Sequence, residues 1–197
     1  MKKCISLLFF SLFTFSSYGQ HRMEIRASNN ITGLPFSSYP ALFYSNFHPG
    51  IDLGIQHRIN SSEKHQWAVS GNIALFYHRF IQTGIKIYPS LDYAYAIGSK
   101  WKIKASLDLG YLMAINNVAV LELQDDGNYE SRALNKVRSQ FMVGWRIGAS
   151  YCPSGDSYGM AYTLAFGSFL QGPYVSGYVP LLPYNTFSLG IDMPINL

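Results

Sequence analysis

The strand-like stretches of this chain alternate apolar and polar residues, and their charges keep to one parity. From Trp101 to Ile115, the residues Trp101, Ile103, Ala105, Leu107, Leu109, Tyr111, Met113 and Ile115 form one row, and Lys102, Lys104, Ser106, Asp108 and Gly110 form the other. Side chains of a strand point alternately to opposite faces, so this segment carries one apolar wall and one charged wall.

Turn signals and alternation divide the chain into eight such segments: Gln20–Ser28, Asn46–Ile59, His65–Tyr77, Gln82–Ile97, Trp101–Ile115, Lys136–Cys152, Ser157–Gln171 and Tyr184–Leu197. Most exceed the roughly nine to eleven residues that a tilted membrane strand needs. Pro89 removes a ladder hydrogen bond and predicts a bulge in the fourth strand. Asn60–Lys64, Gly98–Lys100 and Pro153–Asp156 read as short polar turns. At the other end Asn29–Ser45, Asn116–Asn135 and Gly172–Pro183 read as long loops, with one short connection around His78–Ile81. Outer-membrane barrels place short turns in the periplasm and long loops outside. The predicted fold is therefore all-β, an eight-stranded antiparallel up-and-down transmembrane β-barrel.

The leader fits that location. Lys2 and Lys3 precede a short apolar run, Leu7 to Phe15, and the small residues Ser17 and Gly19 precede Gln20. This predicts a signal peptide over residues 1–19 and a barrel domain over 20–197. The apolar run is too short to span a bilayer, and Cys4 lies in the charged region ahead of it, which disfavours a lipoprotein. Loss of Lys2 and Lys3 lowers the formal charge from +4 to +2, with the remaining basic residues scattered. The basic isoelectric point is thus no evidence for nucleic acid, and no nucleic-acid partner is expected. Cys152 is then the only cysteine, so no intrachain disulfide is expected.

Thirteen charges fall on the inward parity: Arg22, Glu24, Arg26, Asp52, Arg58, Lys86, Asp92, Lys102, Lys104, Asp108, Arg138, Arg146 and Asp192. None falls on the apolar parity of a strand, consistent with a cost of about 2–4 kcal/mol for Lys or Arg facing lipid at midplane. An eight-stranded barrel is just wide enough to be filled by side chains. Eight basic and five acidic groups in such a core must pair with one another and with Gln56, Gln82, Gln140, Tyr88 and Thr163. The network is expected to be structural, with an ion path as the rarer alternative, and a porin is disfavoured on diameter.

Aromatic residues should mark the two rims. Trp67, Tyr95, Trp101, Tyr151 and Tyr158 are expected at the periplasmic rim, and Phe47, Tyr77, Tyr184 and Phe187 at the outer one.

The signal peptide, the eight strands, the polar interior and a last strand running Phe187, Leu189, Ile191, Met193, Ile195, Leu197 resemble the small outer-membrane barrels of the OmpA/OmpX kind. In that class the final strand is an insertion signal read by the barrel-assembly machinery; Leu197 stands where an aromatic is usual. The resemblance is architectural and implies an outer-membrane location, lipid around the barrel and an unidentified extracellular ligand for the loops, with no activity. No peptidoglycan-binding domain is expected after Leu197.

Two alternatives stay open. A lipid-acyl hydrolase or acyltransferase would need a serine activated by a histidine beside lipid. His57 faces lipid near the periplasmic end, His78 points inward, and Ser139 and Ser168 face lipid with no histidine beside them in sequence, so no enzyme is expected. A secreted soluble barrel of the lipocalin kind would carry the same alternation with its faces exchanged. No cofactor or metal is expected: His48, His65 and His78 share no close spacing, and Asp125-Asp126-Gly127-Asn128 lacks the distal glutamate of a calcium loop. The expected role is structural or interactive: loop display, adhesion or envelope maintenance.

Overall fold

The computed structural model describes residues 21–35, 37–118, 120–132, 137–156, 159–174 and 180–195. The expected signal peptide, its cleavage site, Lys136, Tyr158 and Leu197 lie outside them. Eight strands close a barrel: β1 (His21–Thr32), β2 (Pro49–Arg58), β3 (His65–Tyr77), β4 (Gln82–Ile97), β5 (Trp101–Asn116), β8 (Arg138–Tyr151), β9 (Ala161–Gly172) and β10 (Leu182–Ile195). Around the wall the order is β1-β10-β9-β8-β5-β4-β3-β2, every neighbour antiparallel, and β1 pairs with both β2 and β10. The connection from β5 to β8 carries a small separate hairpin, β6 (Val120–Leu123) and β7 (Tyr129–Arg132).

The faces sort as the alternation requires. Leu107 and Leu109 are 64% and 65% exposed on the outside, whereas Asp108 between them is 6% exposed within. The fold is that of an eight-stranded antiparallel transmembrane β-barrel, and its charged interior rules out the lipocalin arrangement. At the short-turn end Trp67 packs on Tyr93 at 4.8 Å and Trp101 on Tyr151 at 4.7 Å. Tyr77 and Phe47 are exposed at the long-loop end as expected. Tyr184 is a correction. It shares the parity of Asp192 and is fully buried inside the barrel.

The expected bulge at Pro89 is absent. Ile87 faces Tyr111 and Ser90 faces Asp108, so two residues lie on each strand between these pairs and none is extra. The β4–β5 ladder lapses there, while on the other side Pro89 stays in register with Gly71. The strand tolerates Pro89 because only one of its two ladders is interrupted. Opposite the lapse, a Cβ on Gly110 would collide with Tyr88, so glycine there lets the tyrosine lie across the wall.

The first long loop departs most from expectation. β1 runs four residues past Ser28, pairing Asn29–Thr32 with Phe187–Tyr184. The chain then turns back down the outside of the barrel, where a short helix α1 (Ala41–Tyr44) packs against β1 and β10. Asn29 and Ile31 point outward yet are only 8% and 4% exposed beneath this segment. β2 accordingly begins at Pro49, later than its alternation suggested.

Candidate functional site

Inside the barrel, five cations and five carboxylates form two ion-paired clusters, which Asn72, Ser70 and Ser90 join by hydrogen bonds. Asp52 of β2 lies 3.7 Å from Arg26 of β1 and 3.9 Å from Lys86 of β4. Arg26 also meets Glu24 at 2.7 Å, and Arg22 meets Asp192 at 2.7 Å. Arg146 of β8 reaches Asp108 at 3.0 Å and Asp92 at 3.8 Å. Glu24 and Asp192 stand directly opposite each other in the β1–β10 ladder, an arrangement that repels. Lys104 compensates it, with its ammonium 3.3 Å from Glu24 and 3.5 Å from Asp192. Lys104 belongs to β5, four strands away in either direction around the wall. Its side chain therefore meets those of Glu24 and Asp192 across the lumen.

Neutral groups complete the pairing. Asp92 accepts from Ser70 and Ser106 at 2.6 Å each, and Tyr88 donates to Asp52 at 2.6 Å. The three remaining predicted cations lie at the mouths. Arg58 ends β2, and Lys102 near the start of β5 donates to Gln66 at 3.1 Å. Arg138 opens β8, where it donates to Gln82 at 3.0 Å and to the Tyr174 carbonyl at 2.9 Å. Cavities lined by the network measure only about 20–40 Å³, room for a water or two.

The sequence reading missed an apolar plug. At the long-loop end Phe76, Leu112, Met142, Phe169 and Tyr184 pack together on the inward face. Phe169 and Tyr184 stack at 4.8 Å, and the Lys86 ammonium lies 4.5 Å from the Phe169 ring. The signal was present: Leu112 and Met142 share the parity of Lys104 and Arg146. At the long-loop end Arg138, Gln82 and Gln171 add a polar layer to these rings.

The histidines also group unexpectedly. His48 and His78, thirty residues apart, stack at 3.7 Å beneath the long-loop rim, and His78 meets Tyr184 edge-on at 5.9 Å. His57 is outward near the short-turn end, beside His21 at 4.9 Å. Among the described residues no serine hydroxyl is hydrogen-bonded to a histidine ring. Ser168 points outward but is buried, donating to Asn185 at 2.5 Å and accepting from Tyr39 at 3.0 Å. Such a hydroxyl is not activated as a nucleophile. In the Asp125-Asp126-Gly127-Asn128 tip, both carboxylate oxygens of Asp126 accept from Asn128, the pattern of an ordinary turn.

No protein-family model matches the chain, and no curated protein matches it by sequence. Among solved structures it is similar to Neisserial surface protein A, with a TM-score of 0.55 at 14% identity over 91% of this chain and 98% of that one. The chain has the fold of the small eight-stranded outer-membrane barrels. Weaker likenesses are to the outer membrane enzyme PagL, at a TM-score of 0.47 and 12% identity over 87% of this chain and 99% of that one. The attachment invasion locus protein Ail of Yersinia pestis matches at 0.46 and 13% over 91% and 100%. Neither of these two bears on the reading.

Proposed function

We propose that this protein is an integral outer-membrane barrel of the structural or surface-interaction kind. In this reading the interior is packed, not conducting, and the β6–β7 hairpin is displayed outside the cell. The observation that carries this reading is the lumen itself, where Lys104 meets Glu24 and Asp192 and the rings of Phe76, Phe169 and Tyr184 close one end. A conducting path would need a continuous water column, and the interior ion pairs occupy its place. The interior charges serve as packing, in a core too narrow for a larger solute. Membrane lipid surrounds the apolar wall, the assembly machinery receives the last strand, and an extracellular ligand meets the loops.

The orientation and the display are tested together. A tag inserted after Gly127 should be labelled on intact cells, while one after Ser62 should be silent until the envelope is opened. Labelling at Ser62 alone would invert the barrel. In planar bilayers the purified protein should leave conductance at background, and steady single-channel steps would overturn the poreless reading.

A further inference from the structure

The described residues of the segment 33–47, which are 33–35 and 37–47, lie against the wall of the barrel on the side that meets lipid. Three outward side chains on that wall are polar: Asn29, Ser168 and Asn185. In hydrocarbon such groups need partners from the protein, and the segment supplies them. Asn29 donates to the Leu42 carbonyl at 2.9 Å and accepts from the His48 amide at 2.8 Å. Asn185 donates to the carbonyls of Gly33 and Leu34, each at 3.1 Å, and Tyr39 caps Ser168. Below this polar seam the rings continue the apolar wall: Tyr39 lies 6.3 Å from Trp145, and Phe43 lies 5.6 Å from Phe187. A Cβ on Gly33 would collide with Ser38 at 2.5 Å, so the turn into the segment is tightly closed.

The composition of the segment is unlike that of a loop bathed in water. From Ala27 to Ile51 there is no Asp, Glu, Lys or Arg, and five of the twelve residues from Phe36 to Phe47 are aromatic. The loop between β5 and β8, by contrast, carries Glu122, Asp125, Asp126, Glu130 and Arg132. While Leu42 is buried against the barrel, Leu34, Phe43, Tyr44 and Phe47 are 67–79% exposed on the outer surface of the strap. Ser168 is four residues below the end of β9, which places the seam roughly 10 Å beneath the rim at about 3.3 Å per residue and a strand tilt near 40°. That is the depth at which interfacial amphipathic segments lie, with aromatic side chains at the boundary of headgroups and acyl chains.

We propose that residues 33–47 are a lipid-embedded strap: Leu34, Phe43, Tyr44 and Phe47 enter the outer leaflet, and this loop is an interaction surface for membrane lipid. The inference rests on the outer-membrane reading above. It removes one of the three long loops from the surface available to soluble partners. It also sets a neutral, immersed loop beside β1 and β10 against the charged loop between β5 and β8.

Spin labels test it. In a Cys152→Ser background refolded into phosphatidylcholine vesicles, Tyr44→Cys is compared with Leu107→Cys on the wall and Asp125→Cys at the hairpin tip. The label at position 44 should be more accessible to oxygen than to a water-soluble nickel chelate, with a value between those of the two controls. Chelate access at 44 equal to that at 125, with 107 still in lipid, would overturn the strap alone. Chelate access at 107 as well would sink the membrane reading on which it rests. If the background variant does not fold, benzoylphenylalanine at position 44 of the otherwise unchanged chain gives the same decision. A lipid adduct supports the strap, whereas a dimer adduct or no adduct overturns it.

Discussion

Asp52→Asn is the sharpest probe of the interior. The carboxylate lies 3.7 Å from Arg26 and 3.9 Å from Lys86, and it accepts the Tyr88 hydroxyl at 2.6 Å. At an effective dielectric of about 20, each ion pair is worth roughly 4 kcal/mol, set against several kcal/mol for holding each charge out of water. Arg26 keeps Glu24 after the substitution. Among the described residues Lys86 has no second carboxylate within 4 Å. Leaving that ammonium buried and uncompensated should cost about 3–5 kcal/mol. Asp108→Asn should cost less, about 1.5–3 kcal/mol, because Arg146 retains Asp92 at 3.8 Å. Adding Lys86→Met to Asp52→Asn should recover most of the loss, since the methionine faces the rings of Phe76 and Phe169. Urea titration of the refolded protein in lipid vesicles, followed by tryptophan fluorescence, measures all four chains. A silent Asp52→Asn, or a double variant no better than the single, would show that water screens the lumen and that the charges are not a packed core.

Three further outcomes follow from the same geometry. Unheated protein should migrate apart from the boiled sample on SDS gels, because a closed wall has no edge to open; identical migration with recovery in the soluble fraction would refute closure in a membrane. Leu107→Arg, between Leu91 and Trp145 on the outer wall, should cost about 2–4 kcal/mol in a bilayer and lower the amount inserted, and no interior substitution should rescue it. Burial, and then the neighbouring His48, holds His78 down at about 4, so the unfolded chain takes up the proton first on acidification. Stability should therefore be full above pH 6.5 and fall between 6.5 and 4, and His78→Phe should flatten this part of the urea-midpoint profile; an unchanged slope would remove His78 from the account.

Much of the barrel was legible because a two-residue period and the cost of a charge in lipid act on every strand alike. The wall at Trp101–Ile115 and the shared parity of the ten ion-paired charges follow from that rule. Where the rule went unheeded, the reading failed: Tyr184 keeps the parity of Asp192, yet its aromaticity suggested a rim. Leu112 and Met142 were passed over for a related reason, since apolar residues on the charged parity carry no cost that flags them. Asn29–Thr32 resembles a turn because Asn, Asn and a following Gly favour one. It becomes strand through its ladder with β10, while Leu42 and His48 satisfy the Asn29 side chain and Ser28, His48 and Thr186 that of Asn30. The stacking of His48 on His78 depends on where a loop returns to the rim, and alternation says nothing about that.

The reach of Lys104 across the lumen bears on how the barrel comes to be made. The first and last strands meet at a seam where Glu24 and Asp192 face each other, and the ammonium that reconciles them comes from the opposite wall. Arg22 helps at the same carboxylate, but Glu24 depends on Lys104 and Arg26. The seam therefore cannot close well around an empty lumen, and the interior cannot be filled one strand at a time. Closure and filling become one cooperative event, and a chain lacking a correctly placed β5 would stall as an open sheet.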